Sequence, residues 1–380
     1  MILEQLFSLM ADKKASDLLL SPNSPVTLKM QGVMVPVNQT ELLTGEGVFK
    51  MLVPVCSQEQ MAELHQTNEL NVGIFRPGVG AFRLSAFKQK NGFAAVFRFI
   101  PPNPPTLEQL HIPASLQAVS LEQRGLILVC GSTGSGKSST IAAMLEARNA
   151  QKSGHILTVE DPVEFNFTPK KSVINQREIG VDSKDLATAL KNGLRQTPDV
   201  IFIGETRDRE TMTAAITYAL SGHLVLTTLH ANNSYHALSR IVSMYPPESR
   251  GSLLSDLSSA VKCIITQRLV KAVAGGRRPA LEVMHNTQLT AELIEQGKMV
   301  ELRDAIANSM AKGSQTFEQS LVALVNEGTV SREEAMAAAD SPTNLVWLLN
   351  NQGMKAAEEA QAAPIDRSAS GAQYKEFKFG

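Results

Sequence analysis

The polarity of the first 100 residues changes over short distances, with apolar runs separated by turn residues. An opening helix is predicted, because apolar residues recur there at helical spacing: Ile2, Leu6, Leu9 and Met10. Asn91-Gly92 separates two segments of alternating polarity, 81–87 and 93–100, which predicts a β-hairpin. Residues 1–100 are therefore predicted to form a small α+β domain.

A proline-rich spacer follows this domain. Residues 101–105 contain four prolines, which cannot continue a helix or a central strand and instead form a stiff, extended connection. Beyond the spacer, apolar runs alternate with helical patterns, which is typical of a mostly parallel sheet covered on both faces. Strands are predicted at 126–130, 155–159, 199–204 and 223–229, with helices between them at 138–150, 183–196 and 208–221.

The remainder of the chain has two parts. From residue 248 to about 350 the pattern predicts helices. Residues 351–380 lose this order and are predicted to form a flexible tail. The predicted fold class is α/β, with an α+β domain at 1–100, a linker at 101–105 and a larger domain at 106–350 that ends in helices.

Composition narrows the functional classes. The 380 residues are 43% hydrophobic and 19% charged, which is ordinary globular usage, so the chain can bury a core and need not be disordered. The net charge of −1 gives no electrostatic reason to expect a nucleic-acid partner. Three widely spaced cysteines exclude a disulfide scaffold and a four-cysteine zinc site. No long apolar run and no signal-peptide pattern occur, so a cytoplasmic protein is predicted.

Residues 131–138 fit the phosphate-binding loop pattern G-x-x-x-x-G-K-[ST]. The loop follows a predicted strand that ends at Cys130 and precedes a predicted helix, as the pattern requires. Glycines let backbone N–H groups turn toward phosphate oxygens, and the helix N-terminus adds positive potential. Lys137 would contact the β- and γ-phosphates, and the Ser138 hydroxyl would reach Mg²⁺. A chance glycine-rich turn is the alternative, which this context disfavours.

Candidate carboxylates follow two other predicted strands. Glu205 comes after the third strand of the larger domain, at the edge where ligands of open α/β sheets bind, and could hold Mg²⁺ through water. Glu160, Asp161 and Glu164 follow the second strand. Three carboxylates so close together repel one another, so at least one is expected to have a raised pKa that suits activation of water. A solvated acidic loop is the alternative.

Two histidines and two arginines complete the candidates. His223 and His230 bracket the last predicted strand, where a histidine can donate to a γ-phosphate or make a structural hydrogen bond. No obvious residues complete a zinc site with them. Arg83 and Arg98 lie on the two strands of the predicted hairpin. Each is a candidate arginine finger, which stabilises charge on a transferred phosphoryl group, although surface strands also carry arginines without such a role.

Five motifs occur in order along the chain: GSTGSGKSST, HILTVEDPVEF, VINQREIG, DVIFIGETRD and GHLVLTTLH. Together they resemble the type IV pilus retraction ATPases, the PilT/PilU family of bacterial secretion ATPases. The resemblance extends over nearly the whole chain, to about residue 340. It implies a PAS-like N-terminal α+β domain, a RecA-like P-loop ATPase domain and a ring of six subunits.

The resemblance also implies roles for individual residues. The catalytic residues would be Lys137, Glu164, Glu205 and two arginines that approach nucleotide across a domain or subunit boundary, Arg83 and Arg98. The cofactors would be ATP and Mg²⁺, with Mg²⁺ held by Ser138 and, partly through water, by Glu205. The residues implied to bind nucleotide are Gly131, Ser132, Thr133, Gly134, Ser135, Gly136, Lys137, Ser138, Ser139, His223 and His230.

The implied function is that of an ATP-hydrolysing hexameric motor that promotes pilus retraction and twitching motility. Pilus-assembly ATPases usually carry a four-cysteine metal insertion, which this sequence cannot form. Segment 286–298 lacks the first arginine-bearing turns of the AIRNLIRE-like helix of PilT-type motors, which favours the accessory PilU type. The implied partners are a homo-hexamer, a PilT-type paralogous ATPase and a PilC-like inner-membrane platform protein, with a cytoplasmic location peripheral to the inner membrane and no nucleic acid.

Two other functional classes remain open from the residues. A nucleic-acid translocase could share a RecA-like core, but the near-neutral charge and the lack of a basic, aromatic-rich stretch count against it. A nucleotide-binding scaffold without hydrolysis is disfavoured by Glu164 and Glu205. The end of the tail would be either a docking peptide for a partner or a solvated terminus, and its aromatic residues are Tyr374, Phe377 and Phe379.

Overall fold

The N-terminal part of the chain folds around a six-stranded antiparallel sheet in the order β3-β2-β1-β6-β5-β4. The computed structural model describes residues 2–30, 32–100 and 103–351. The strands are β1 Asp17–Leu20, β2 Thr27–Met30, β3 Val33–Pro36, β4 Glu69–Arg76, β5 Gly80–Gln89 and β6 Gly92–Ile100. The helices are α1 Leu3–Asp12, α2 Gly45–Leu52 and α3 Gln58–Thr67. Their apolar residues join one face of the sheet in a single core.

The predicted hairpin is confirmed, since β5 and β6 pair from Gln89 and Gly92 outward. The opening helix is also confirmed, but its buried face differs from the prediction. Ile2 precedes the helix and is exposed, whereas Phe7 is buried and stacks on Phe82 of β5 at 4.1 Å between ring centroids. The sheet decides which helical face is buried because it presents aromatic rings to Phe7. The PAS-like assignment of this domain stays a prediction.

A second, seven-stranded sheet has the order β13-β12-β7-β11-β10-β8-β9. All neighbouring strands are parallel except the pair β12–β13. The strands are β7 Gly125–Cys130, β8 Gly154–Glu160, β9 Ser172–Glu178, β10 Val200–Ile203, β11 Leu224–Leu229, β12 Val261–Lys271 and β13 Arg277–His285. The helices up to β12 are α4 Ser115–Ser120, α5 Lys137–Gln151, α6 Leu186–Gly193, α7 Arg209–Leu220, α8 Ser234–Ser243 and α9 Arg250–Ala260.

Helices cover both faces of this sheet, as the sequence predicts. On β7, Leu126 and Leu128 contribute to one buried cluster, whereas Ile127 and Val129 contribute to another. Successive side chains of a strand point to opposite faces, so the two clusters lie on the two sides of the sheet. The four predicted strands of this domain are confirmed within one or two residues. The buried sheet fixes the positions of the loops that follow its strands.

The prediction of helices throughout 248–350 is wrong in one place. Strands β12 and β13 form an antiparallel hairpin that extends the sheet next to β7. Most of β12 is buried, which obscures the alternation that identifies a half-buried strand. Gly275-Gly276 in the connection is the sequence feature that would have indicated a hairpin.

Helices resume after the hairpin and pack around β12 and β13. They are α10 Gln288–Glu295, α11 Leu302–Ala307, α12 Phe317–Asn326 and α13 Arg332–Ala338, and a last helical stretch occupies 342–351. Among the residues that the structure describes, none of the helices has the length and apolarity needed to cross a bilayer. Part of the predicted linker, residues 101–102, and nearly all of the predicted tail, residues 352–380, lie outside the described residues.

Candidate active site

The phosphate-binding loop connects the buried strand β7 to the N-terminus of α5. Gly136 precedes the helix in the left-handed region, with φ 90°, and Lys137 is the first helical residue. Lys137 Nζ donates hydrogen bonds to the carbonyl oxygens of Gly131 at 3.0 Å and Ser132 at 2.9 Å. The loop thus folds around its own lysine. When a phosphate binds, its oxygens would replace these two carbonyl oxygens as the partners of the ammonium group.

A cavity of about 370 Å³ opens beside this loop. The carboxyl ends of the parallel strands meet here, which is where open α/β sheets bind ligands. The structure brings nine of the candidate residues to the wall of the cavity: Thr133, Gly134, Lys137, Ser138, Glu160, Asp161, Glu164, Glu205 and His230. These residues come from four separate strand ends and loops, so the sheet assembles the site.

Glu205 is held between the side chains of an arginine and a histidine. Arg207 Nη2 lies 2.7 Å from Oε2 of Glu205, and His230 Nε2 lies 3.0 Å from Oε1. Burial opposes ionisation of Glu205, but the hydrogen bond and charge of Arg207, with His230 and Lys137, outweigh it and lower the pKa of the carboxyl. Glu205 is therefore a carboxylate at neutral pH, as a ligand of a divalent cation must be.

The loop that carries Glu205 is fixed at both ends. Thr228 Oγ1 donates to the Gly204 carbonyl at 2.6 Å, and Thr206 N donates to the Thr228 carbonyl at 3.0 Å. Asp208 caps α7 by accepting a hydrogen bond from Thr211 N at 2.8 Å. These bonds hold the Glu205 backbone between the ends of two strands and a helix N-terminus, so the side chain needs little reordering to meet a ligand.

The acidic segment 160–164, which begins at the last residue of β8, contains a carboxyl with a raised pKa, as predicted, and this carboxyl is that of Glu160. This side chain is 6% exposed, and burial raises its pKa to about 7. Its oxygens accept hydrogen bonds from Thr158 Oγ1 at 2.7 Å and from Glu164 N at 3.4 Å. The main cause is therefore desolvation and not repulsion among the acids. Glu160 supports the loop, whereas Glu164 is exposed to the cavity.

Strand β9 ties the acidic segment to the sheet. Gln176 accepts a hydrogen bond from Phe167 N at 2.9 Å and donates one to the Phe165 carbonyl at 2.7 Å. Glu178 accepts one from Val163 N at 3.1 Å. The backbone on both sides of Glu164 is thus held by side chains of β9, which gives the Glu164 carboxylate a defined approach to the cavity.

His223 lies apart from the other candidates. It precedes β11, its carbonyl accepts from Gly125 N at the start of β7, and its ring contacts the Tyr218 carbonyl at 3.2 Å. His230 follows the opposite end of β11, about 20 Å away at the usual rise of a strand. Within one chain, the structure therefore brings only His230 to the cavity.

Arg83 and Arg98 are direct cross-strand neighbours in the N-terminal sheet. Arg98 is 65% exposed, and its Nε lies 3.0 Å from Oδ1 of Asp17. Like charges directly opposite each other are unfavourable, and Asp17 offsets part of this repulsion. The two arginines lie on the sheet face opposite the core of this domain, and neither lines the cavity beside the phosphate-binding loop.

Several residues at the site were not identified from the sequence. Arg207 stands within the motif DVIFIGETRD, yet only its contact with Glu205 reveals its position. Gln176 has no sequence feature that distinguishes it from its neighbours in β9, and only its hydrogen bonds to the acidic segment show its role. Gln267 contacts the phosphate-binding loop from β12, more than 125 residues further along the chain, through Thr140 and Ser135. Long-range contacts of this kind have no signature in local sequence.

The residues present fit a Mg²⁺–nucleotide. The Ser135 hydroxyl, within the loop, is buried and has no partner among the described residues. A Cβ atom on Gly131 would lie 2.6 Å from the Gln267 carbonyl oxygen, so this close-packed turn requires glycine. The cavity also offers an ammonium, a hydroxyl and an ionised carboxylate, which are Lys137, Ser138 and Glu205. This donor set suits phosphates with a hard divalent cation.

The fold and this cavity define a P-loop nucleotide-binding protein of the α/β class. The chain belongs to the Type II/IV secretion system protein family, whose model matches residues 1–337. Similarity to characterised members places it in the PilT/PilU group of type IV pilus retraction ATPases, as the motifs predicted.

The similarity to that group extends along most of the chain. The type IV pilus ATPase PilU of Pseudomonas aeruginosa is 42% identical over 343 residues, which are 90% of each chain. The retraction ATPase PilT of the same organism is 38% identical over 344 residues, covering 90% of this chain and all of that protein. A crystal structure of the pilus retraction motor PilT with bound ADP superposes with a TM-score of 0.84 at 35% identity, and the match covers 90% of this chain and 98% of that one.

Proposed function

We propose that the protein is an ATP-hydrolysing motor of the type IV pilus machinery that works as a hexamer and promotes pilus retraction and twitching motility. One observation supports this proposal most strongly. A single cavity gathers Lys137 and Ser138 of the phosphate-binding loop, the ionised Glu205, and Glu164 on a braced loop. The relatives that are named pilus ATPases support the pilus assignment.

Binding of ATP begins with the phosphate-binding loop. Backbone N–H groups of the loop and of the N-terminus of α5 surround the phosphates. Lys137 gives up its contacts with the Gly131 and Ser132 carbonyls and interacts with the β- and γ-phosphates. Burial lowers the pKa of Lys137, while the nearby Glu205 and Glu164 charges oppose this effect. A phosphate adds further negative charge and so favours the ammonium form.

Ser138 and Glu205 would hold Mg²⁺, with Glu205 acting partly through water. When bound, the ion neutralises charge on the phosphates. Glu164 orients the attacking water and accepts its proton as the oxygen forms a bond to the γ-phosphorus and the bond to the ADP oxygen breaks. His230 holds Glu205 in place at the edge of the same cavity.

Arg83 and Arg98 would supply positive charge from outside the cavity. They lie side by side on the N-terminal sheet and line no part of the site in their own chain. A ring of six subunits allows the arginines of one subunit to approach the nucleotide across a domain or subunit boundary, where they stabilise charge on the transferred phosphoryl group. His223 lies at the opposite end of β11 from the cavity and takes no part in this hydrolysis scheme.

Mechanical work would come from movement of the two domains, 1–100 and 106–350, relative to each other. The linker 101–105 joins them. Bound nucleotide stabilises one arrangement of the domains and release stabilises another. The protein would act in the cytoplasm at the inner membrane beneath the pilus, on a PilC-like platform protein. Its higher identity with PilU than with PilT supports a role as an accessory to a PilT-type motor.

Two substitutions test the chemistry. Lys137→Ala is expected to lower ATP turnover to near background, and Glu164→Gln is expected to lower kcat by roughly 10²–10⁴-fold while Mg²⁺–ATP still binds. Lys170→Ala is a matched lysine control, because Lys170 pairs with Glu146 and lines no part of the cavity beside the loop. Unchanged hydrolysis by Lys137→Ala would exclude this site as the ATPase centre.

The accessory role needs a separate experiment. Particle mass and ATPase rate are measured for the purified chain alone, for a PilT-type paralogue alone, and for the mixture. Two results together support the proposal: the particle contains six subunits, and the ATPase rate of the mixture exceeds the sum of the rates of the two proteins measured alone. Independent particles with additive rates would contradict the accessory role and leave the ATPase assignment untouched. The same preparation with single-stranded or duplex DNA tests the translocase alternative through stimulation of hydrolysis.

A further inference from the structure

Gln267 is a buried amide at the phosphate-binding loop. It lies on β12 and is 3% exposed. Its Nε2 donates to the Ser135 carbonyl at 2.7 Å, and its Oε1 accepts from Thr140 Oγ1 at 2.6 Å. Both ends of the amide are therefore bonded to the segment that contains Lys137, one bond on each side of that lysine.

The sheet register explains how a residue so distant in sequence reaches the loop. β12 runs parallel to β7, and Thr266 pairs with Cys130, the last residue of β7. Gln267 therefore continues β12 alongside the first residue of the loop, Gly131. A Cβ atom on Gly131 would lie 2.6 Å from the Gln267 carbonyl oxygen, and one on Gly136 would lie 2.7 Å from Nε2. Gly131 and Gly136 of the loop are thus packed directly against Gln267.

The bond to Ser135 fixes the direction of a backbone amide. The Ser135 carbonyl and the Gly136 N–H belong to one planar peptide unit, in which the two groups of a trans peptide point in opposite directions. Because the carbonyl points to Gln267, the Gly136 N–H points away from β12. In a phosphate-binding loop, such inward N–H groups bind phosphate oxygens.

We infer that Gln267 is a positioning residue that sets the phosphate-binding loop in its nucleotide-competent form. This inference rests on the proposed function, since it requires that the loop binds a nucleoside triphosphate. Gln267 orients the Ser135–Gly136 peptide, while Thr140 anchors the amide from the first turns of α5. Donors that are fixed before the ligand arrives lose less conformational entropy on binding. Gln267 touches no reacting atom in this arrangement.

The test compares Gln267→Met with wild type and with Thr140→Val. Methionine keeps the size of the side chain but removes both hydrogen bonds, whereas Thr140→Val removes one and leaves the bond to Ser135. For Gln267→Met we expect Kd for Mg²⁺–ADP and KM for ATP to rise about tenfold, the effect of one well-placed hydrogen bond. kcat should change less than about threefold, since Lys137 and Glu164 are untouched. Thr140→Val should change Kd by less than about threefold.

Thermal unfolding of each variant separates positioning from stability. Equal rises of Kd in Gln267→Met and Thr140→Val, accompanied by equal falls in Tm, would overturn the inference, as would an unchanged Kd in Gln267→Met. If Gln267→Met does not fold, Gln267→Glu is tested instead. It keeps the size of the side chain and the oxygen that accepts from Thr140, but it replaces the NH2 group that donates to the Ser135 carbonyl. A wild-type Kd for that variant at pH 8 would likewise overturn the inference. Failure of wild type itself to bind Mg²⁺–ADP would contradict the proposed function instead, so the two failures are distinct.

Discussion

His230 Nε2 lies 3.0 Å from Oε1 of Glu205, so the end of β11 holds the carboxylate that follows β10. Arg207 holds the other oxygen of the same carboxylate. The pair links two neighbouring parallel strands at the cavity edge, and any movement of one strand end relative to the other changes the position of Glu205. This contact gives the first prediction.

We expect His230→Ala to lower kcat of ATP hydrolysis by about tenfold, because Glu205 loses the imidazole that contacts its Oε1 and is left with the exposed Arg207. His223→Ala should lower kcat by less than about threefold, since His223 lies at the other end of the same strand. Steady-state kinetics of the two purified variants measure the difference. An effect of His223→Ala equal to that of His230→Ala would show that the two histidines act at one site in the assembled protein.

Glu160 should make the stability of the protein depend on pH. Its pKa in the folded protein is about 7, above the ordinary 4.5, because the carboxyl is buried. The folded state therefore binds this proton more tightly than the unfolded state. The stability that the protonated carboxyl contributes is fully present below pH 4.5 and is lost as the pH rises through 7. The loss is on the order of 3 kcal/mol.

Glu160→Gln keeps a neutral hydrogen-bonding side chain at every pH and should remove this dependence. Urea unfolding of wild type and variant at pH 5 and pH 8 measures it. The variant is expected to gain stability relative to wild type on going from pH 5 to pH 8. A constant difference between the two proteins at both pH values would show that Glu160 does not titrate in this window.

Gln176 should affect catalysis through the loop that carries Glu164. Gln176→Ala removes the bonds to the backbone of Phe165 and Phe167, so we expect kcat to fall about tenfold with little change in KM. Asn175→Ala is the matched control, because Asn175 is adjacent and contacts His155 instead of the loop. ATPase kinetics of both variants test this, and equal kcat values in the two would refute this role of Gln176.

Arg268 should determine how firmly the C-terminal helices attach to the sheet. It pairs with Asp340, donates to the Ala338 carbonyl at 2.6 Å, and its guanidinium lies 4.2 Å from the ring centroid of Phe317. We expect Arg268→Ala to destabilise the protein by about 2 kcal/mol. Limited proteolysis should show earlier cleavage within 317–351. Arg277→Ala, an exposed arginine on the neighbouring strand, is the control and should behave like wild type.

The local sequence determined much of the fold and part of the site. The loop 131–138 needs only its own glycines, lysine and flanking elements, so its position and chemistry follow from the pattern. The parallel strands could also be predicted, because continuous apolar runs that alternate with segments of helical periodicity are compatible with few other folds. Where the pattern was ambiguous, as for the buried hairpin β12–β13, the sequence pointed to helices instead.

Tertiary structure alone decided how the strand ends meet. Sequence proximity grouped Glu160 with Glu164 and His223 with His230, yet burial gives Glu160 a supporting role and the length of β11 separates the histidines. Gln267 reaches Ser135 only because β12 lies beside β7 in the sheet. Local patterns report the propensities of neighbouring residues, whereas desolvation and long-range hydrogen bonds depend on which distant segments pack together.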